Sequence, residues 1–165
     1  MQQLLILRHA KAVPWSPTAE DFPRKLTSVG RDHAQKVATW MLQNLEPPGV
    51  ILCSPSQRTR ETLAPILSLQ SQLEAVVHFQ PQLFHATTST IETLLDAAFA
   101  GADRVLIVGH NPGFEGLTAD VIRAHHRGAL TRLPTGTLVV VEFAEGWSSG
   151  HDRGILRHVI RGKEL

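Results

Sequence analysis

Short aliphatic runs alternate along the chain with longer stretches in which apolar residues recur at helical spacing, and this alternation predicts an α/β layer fold. Leu4–Leu7 is the first expected strand. Thr27 opens a helix to about Leu45 that turns Val29, Val37, Met41 and Leu45 toward one face, until Pro47, Pro48 and Gly49 stop it. Val50–Cys53 is the second strand. Ser54 is the expected N-cap of the next helix, with Pro55 at its first position, Gln57 completing a capping box, and Pro65 kinking or ending it.

Ala75–Phe79 is the third strand, and Ser89 with Glu92 starts a helix ending near Gly101. Arg104–Val108 is the fourth, after which Asn111 and Pro112 begin a helix reaching about Ala124. Residues 128–136 read as loop. Thr137–Phe143 and Gly154–Arg161 are β-rich runs joined by the turn-like AEGWSSGHDR, so a hairpin closes the chain. With no internal repeat or long linker, one domain over 1–165 is expected. Its architecture is a three-layer α/β/α sandwich around a mostly parallel sheet with a C-terminal antiparallel hairpin.

Composition narrows the setting. With 165 residues, 42% of them hydrophobic, the chain can build a substantial core. A formal charge of +1 with no long run of like charges argues against nucleic acid or an anionic membrane as partner, so any basic site must be local. The apolar runs are strand-sized, and Met1–Gln3 carries no basic residue of the kind that opens a signal peptide. A single cysteine, Cys53, makes no internal disulfide. A cytoplasmic protein, monomeric by default, is expected.

The predicted layout sets Arg8 and His9 just after strand one, Arg58 one turn after strand two and His110 just after strand four. In open α/β sheets ligands bind beyond the carboxyl ends of the strands, so these side chains converge if the strands are parallel neighbours. Guanidinium groups hold phosphate oxygens through a planar fork of donors, and an unprotonated imidazole can attack phosphorus. A phosphoryl group in transit spreads charge on its equatorial oxygens, which arginines and a histidine can stabilise without metal or cofactor.

LRHA at 7–10 resembles the Arg-His-Gly motif of the histidine phosphatase superfamily, with Ala10 in place of the glycine, and VGHNPG at 108–113 resembles its second histidine motif. SPSQRTRET at 54–62 is similar to the family's Ser-x-x-x-Arg-x-x-x-Thr helix start, and RKLTSVG at 24–30 to the Arg-Pro-Leu-Thr-x-x-Gly of SixA-type phosphohistidine phosphatases, with Lys25 replacing the proline. The motifs keep family order from Leu4 to about Leu117. The resemblance implies a phosphoglycerate mutase-like fold in which His9 is the transiently phosphorylated nucleophile, Arg8 and Arg58 grip the phosphoryl oxygens and His110 stabilises the transition state. Arg24 and Asn111 are the substrate-binding residues it implies. The implied substrate is a phosphorylated protein, such as a histidine phosphotransfer domain in signal transduction, or a small phosphorylated compound.

The larger phosphomonoesterases of the superfamily carry an acid after the third strand that protonates a leaving alkoxide. Here that region, QLFHATTST at 82–90, has no carboxylate, which suits a phosphoramidate whose leaving nitrogen can be protonated beforehand. His85 and Glu115 are the remaining candidates for an acid, and Glu115 is also a candidate to orient His110. Pro14, Trp15 and Pro17 are candidate rim residues. Cys53 and Arg58 fall one residue short of the Cys-x5-Arg loop of cysteine phosphatases, and Pro55 removes an amide from that loop. Arg60 is expected to be solvated. The nine histidines show no metal-ligand spacing, and no P-loop is present. A phospho-binding module without turnover remains the non-enzymatic alternative.

Overall fold

The aliphatic run that ends at Arg8 is a central strand. In the computed structural model, which describes residues 1–122, 130, 132–147 and 153–165, β1 (Gln2–Arg8) lies in a six-stranded sheet. The other strands are β2 (Val50–Cys53), β3 (Val77–Phe79), β4 (Arg104–Gly109), β5 (Thr137–Phe143) and β6 (Ile155–Arg161), ordered β3-β2-β4-β1-β5-β6. The first four run parallel, and β5 and β6 form the expected antiparallel hairpin.

Among the described residues four α-helices cover the two faces. Leu4, Ile6, Val105 and Ile107 pack with Ile91 and Leu95 of α3 (Thr88–Phe99) and Phe114 and Leu117 of α4 (Gly113–Val121). Their neighbours Leu5, Leu7, Leu106 and Val108 pack with Val37 and Met41 of α1 (Ser28–Asn44) and Leu63 and Ile66 of α2 (Gln57–Leu69). Successive strand residues point to opposite faces, so a strand covered on both sides must be apolar throughout. The result is the three-layer sandwich. Among the described residues no helix is long and apolar enough to cross a membrane.

Several local expectations shift. Val29 is exposed, and α1 instead buries Gly30, Ala34, Val37, Ala38 and Met41. Pro65 does not end α2, which continues to Leu69: Leu63 and Ile66 on either side of it are buried, offsetting the lost backbone bond. Ser54 is not the cap of α2; that position is Ser56, and the Ser54 hydroxyl turns into the site. Residues Ser71–Val76 form a 3-10 turn, which delays β3 to Val77. Thr87, not Ser89, caps α3 by accepting from the Thr90 amide. Helix α4 ends at Val121; its expected end at Ala124, residues 128, 129 and 131 of the loop that follows and residues 148–152 of the closing turn fall outside the described residues.

Candidate active site

Sheet register builds the site. Arg8 pairs with Gly109 at the ends of β1 and β4, so His9 and His110 leave the sheet side by side. The ladder runs one step further, since the His9 amide donates to Gly109 O at 3.0 Å and the Ser54 amide donates to Val108 O at 3.0 Å. Three adjacent strands therefore deliver His9, His110 and Ser54 to one edge. Gly109 is required there, because a Cβ on it would sit 2.6 Å from Phe114 Cζ in the core.

His9 is buried, with its ring 5.4 Å from that of His110. Its Nδ1 lies 2.8 Å from Ala10 O, an acceptor only, so Nδ1 carries the proton and Nε2 keeps a lone pair. Burial, resisted by the Ala10 bond and reinforced by Arg58, Arg8 and Arg24, pushes the imidazole down to about 4. His110 is pushed down to about 3 by burial, then by Arg58 and His9. Its Nε2 lies 2.8 Å from Ser54 Oγ, and the edge of its ring meets Phe84.

The arginines are anchored from three directions. Arg8 Nη1 donates to Leu133 O at 2.9 Å. Arg58, only 4% exposed, donates through Nη1 to Asp21 O at 3.0 Å and through Nη2 to Asp21 Oδ2 at 3.1 Å. Arg24 donates through Nε to Asp21 Oδ1 and through Nη1 to Val13 O, both at 2.8 Å. Burial lowers the pKa of Arg8 and of Arg58, with Glu115 and Asp21 respectively opposing.

Four buried side-chain polar atoms among the described residues lack a partner, and three are Arg8 Nε, Arg58 Nε and His110 Nδ1. Leaving such groups desolvated and unpaired is costly. Their concentration around His9 makes a cradle that an oxyanion would satisfy.

The structure brings His9, Arg8, Arg58, His110 and Arg24 together. Asn111 is differently engaged: Nδ2 donates to Glu115 Oε2 at 2.9 Å and to Leu133 O at 3.0 Å, and Oδ1 accepts the Glu115 amide. With its amide occupied, Asn111 braces the carbonyl that anchors Arg8 and offers no spare donor to a ligand in this conformation. Glu115 correspondingly holds Asn111, not His110. His85 packs against Phe84 with ring centroids 4.1 Å apart and the planes tilted by 51°, beside a depression of about 410 Å³.

Cys53 is fully buried, its thiol pushed up to about 12, chiefly by burial, which leaves no thiolate for nucleophilic chemistry. Arg60 stacks 4.0 Å from the Phe79 ring centroid instead of standing free in solvent. Among the described residues no group of three His, Cys, Asp or Glu side chains is placed to hold a metal ion, while His125 and His126 lie outside them. Sequence reasoning missed Asp21, Ser54 as the partner of His110, and Phe84. Asp21 had one weak signal, its position three residues before Arg24.

Residues 4–83 match the family model of the histidine phosphatase superfamily, branch 1. Over those residues the chain is similar in sequence to that superfamily, and over nearly its whole length it is similar in fold to solved members of it. Within it the fold is SixA-type: a candidate phosphohistidine phosphatase SixA from Nakamurella multipartitia superposes with a TM-score of 0.83 at 25% identity, over 97% of this chain and 95% of that one. A protein histidine phosphatase SixA complexed with tungstate shares the fold with a TM-score of 0.81 at 23% identity, over 99% of each chain. An uncharacterized chloroplastic protein of Arabidopsis thaliana is 33% identical over 125 residues, 69% of this chain, which spans 56% of that protein's length. An uncharacterized protein of Mycobacterium tuberculosis strain H37Rv is 24% identical over 148 residues, 86% of this chain and 90% of that protein.

Proposed function

We propose that the protein is a metal-independent phosphatase that works through a phosphorylated His9 and takes protein phosphohistidine as its substrate. The observation that carries this is the free Nε2 lone pair of His9 beside two unpartnered arginine donors and the unpartnered Nδ1 of His110. Nε2 attacks phosphorus while the P–N bond to the substrate breaks, and the leaving imidazole departs neutral when its other ring nitrogen already holds a proton. The new phosphoimidazolium keeps its Nδ1 proton on Ala10 O. Water then attacks phosphorus, His9 leaves as neutral imidazole, and the proton shed by water goes to the phosphate. Throughout, Arg8, Arg58, Arg24 and His110 stabilise the equatorial oxygens.

Substrate preference follows from how the carboxylate bound to these arginines is held. Asp21 is the carboxylate that touches these arginines; burial favours its neutral form, but Arg58 and Arg24 outweigh burial and hold its pKa below the usual value. It stays ionised at neutral pH and cannot protonate an alkoxide. A phosphoramidate needs no such help. The exposed aromatic rings of Trp15 and Phe22, on the loop that follows His9, suit a phosphohistidine displayed on another protein.

Rapid quenching into alkaline detergent after mixing with a labelled phosphohistidine peptide tests the reading. The expected product is a base-stable, acid-labile phosphoenzyme that disappears in His9→Ala and is unaffected by chelators. Saturable binding without label would leave a phospho-binding module. Faster turnover of a sugar phosphate than of the peptide would make the protein a small-molecule phosphomonoesterase.

A further inference from the structure

We propose that Asp21 is a positioning residue that locks Arg24 and Arg58 into one anion clamp. The inference rests on the reading of the site as a phosphoryl site and adds a residue to it. Asp21 lies in the loop between β1 and α1, whereas Arg58 lies in the first turn of α2, 37 residues away. One residue supplies three acceptors to the two guanidiniums: its backbone carbonyl and Oδ2 take Nη1 and Nη2 of Arg58, and Oδ1 takes Nε of Arg24.

Two like charges brought to one anion site repel, and an arginine as buried as Arg58 needs a counter-charge. Asp21 meets both requirements with a single carboxylate. Its side chain is 24% exposed against 5% for Arg58, so it closes the clamp from the solvent side. The backbone reinforces this, since the Gln57 amide donates to Phe22 O at 3.2 Å and ties the loop to the start of α2.

The same contacts could describe a resident competitor that a phosphate must displace. Geometry favours the brace. Asp21 holds both terminal nitrogens of Arg58, one through its backbone carbonyl, and leaves the buried Nε unpartnered. A mobile competitor would bind through its carboxylate alone; the added backbone bond ties the guanidinium plane to the loop.

The test uses the full chain with Asp21→Asn and Asp21→Glu beside wild type, each checked for folding by circular dichroism and titrated calorimetrically with tungstate, a tetrahedral oxyanion. Expected is a fall in tungstate affinity and in kcat of up to about 100-fold in Asp21→Asn, the scale of a misplaced catalytic group, with partial recovery in Asp21→Glu. Tighter tungstate binding in Asp21→Asn would overturn the proposal by making Asp21 a competitor. Unchanged affinity per folded molecule would overturn it too, reducing Asp21 to a structural residue, and so would a wild type that binds no tungstate. Failure of the phosphatase reading shows separately, as wild type that binds tungstate but neither labels His9 nor turns over.

Discussion

Ser54 Oγ lies 2.8 Å from His110 Nε2, and the contact joins the exits of β2 and β4 just beyond their last ladder bond. Ser54 is itself fixed, because Thr59 Oγ1 donates to its carbonyl at 2.6 Å. The hydroxyl thereby sets the ring orientation of His110 and leaves Nδ1 as the buried nitrogen without a partner. Ser54→Ala should keep the fold and lower kcat about tenfold, the rate equivalent of a lost hydrogen bond worth about 1.4 kcal/mol. Steady-state kinetics with a denaturation curve on the same sample checks this; full kcat in the alanine variant would remove Ser54 from the mechanism.

The two imidazoles also make stability depend on pH. His9 and His110 are held down to about 4 and about 3, against 6.5 for a free histidine. Below pH 6.5 the unfolded chain therefore binds protons that the folded chain refuses, so stability is greatest above that pH and is lost as the pH falls toward 4. Asp21, with its pKa also lowered, adds a loss in the same direction further into acid. Each imidazole should remove roughly 2 kcal/mol between pH 6.5 and pH 5. Urea unfolding across that range should show the slope, and His9→Asn should reduce it. Catalysis needs neutral His9, so the rate should persist to about pH 4 and fall below it.

Much of this site was legible because it sits where a fold-level rule applies. Continuous aliphatic runs identified β1 and β4 as strands covered on both faces, and their ends marked His9 and His110. Arg58 followed from its place one turn beyond β2. What escaped depends on contacts between distant segments. Asp21 lies in a loop with no periodicity, and its importance arises only when that loop folds onto α2. Ser54 fits a capping-box pattern in the sequence, yet a histidine 56 residues away claims its hydroxyl. Arg60 lost its expected freedom because β3 pairs Phe79 with Cys53 and so places that ring beneath α2.

Three glycines should respond very differently to alanine. At Gly109 the added Cβ would meet Phe114 Cζ at 2.6 Å, and that ring is fully buried with no room to retreat. At Gly30 it would strike the Lys11 carbonyl, which accepts the Thr27 amide and joins the β1 exit to α1. Gly101 has open space around it. Gly109→Ala and Gly30→Ala should each cost about 1–3 kcal/mol, as overpacking does, and Gly101→Ala within about 0.5 kcal/mol. Chemical denaturation of the three variants tests the ranking. A Gly101→Ala loss as large as the others would mean that backbone freedom, not packing, decides it.

Cys53 offers a test that separates the histidine mechanism from thiol chemistry. Its Sγ donates to Ser54 O at 3.2 Å, one residue from the site, so proximity alone would let it be mistaken for a nucleophile. Burial removes that possibility: the thiol is pushed up to about 12 and has no exposed surface. Iodoacetamide should leave the native protein unmodified at neutral pH and label Cys53 stoichiometrically once urea unfolds it, as mass spectrometry would show. Cys53→Ser keeps a donor for the Ser54 carbonyl and should retain activity, at a stability cost of about 1 kcal/mol for burying a hydroxyl in place of a thiol. Rapid native alkylation accompanied by complete loss of turnover would contradict both the burial of Cys53 and the assignment of the nucleophile to His9.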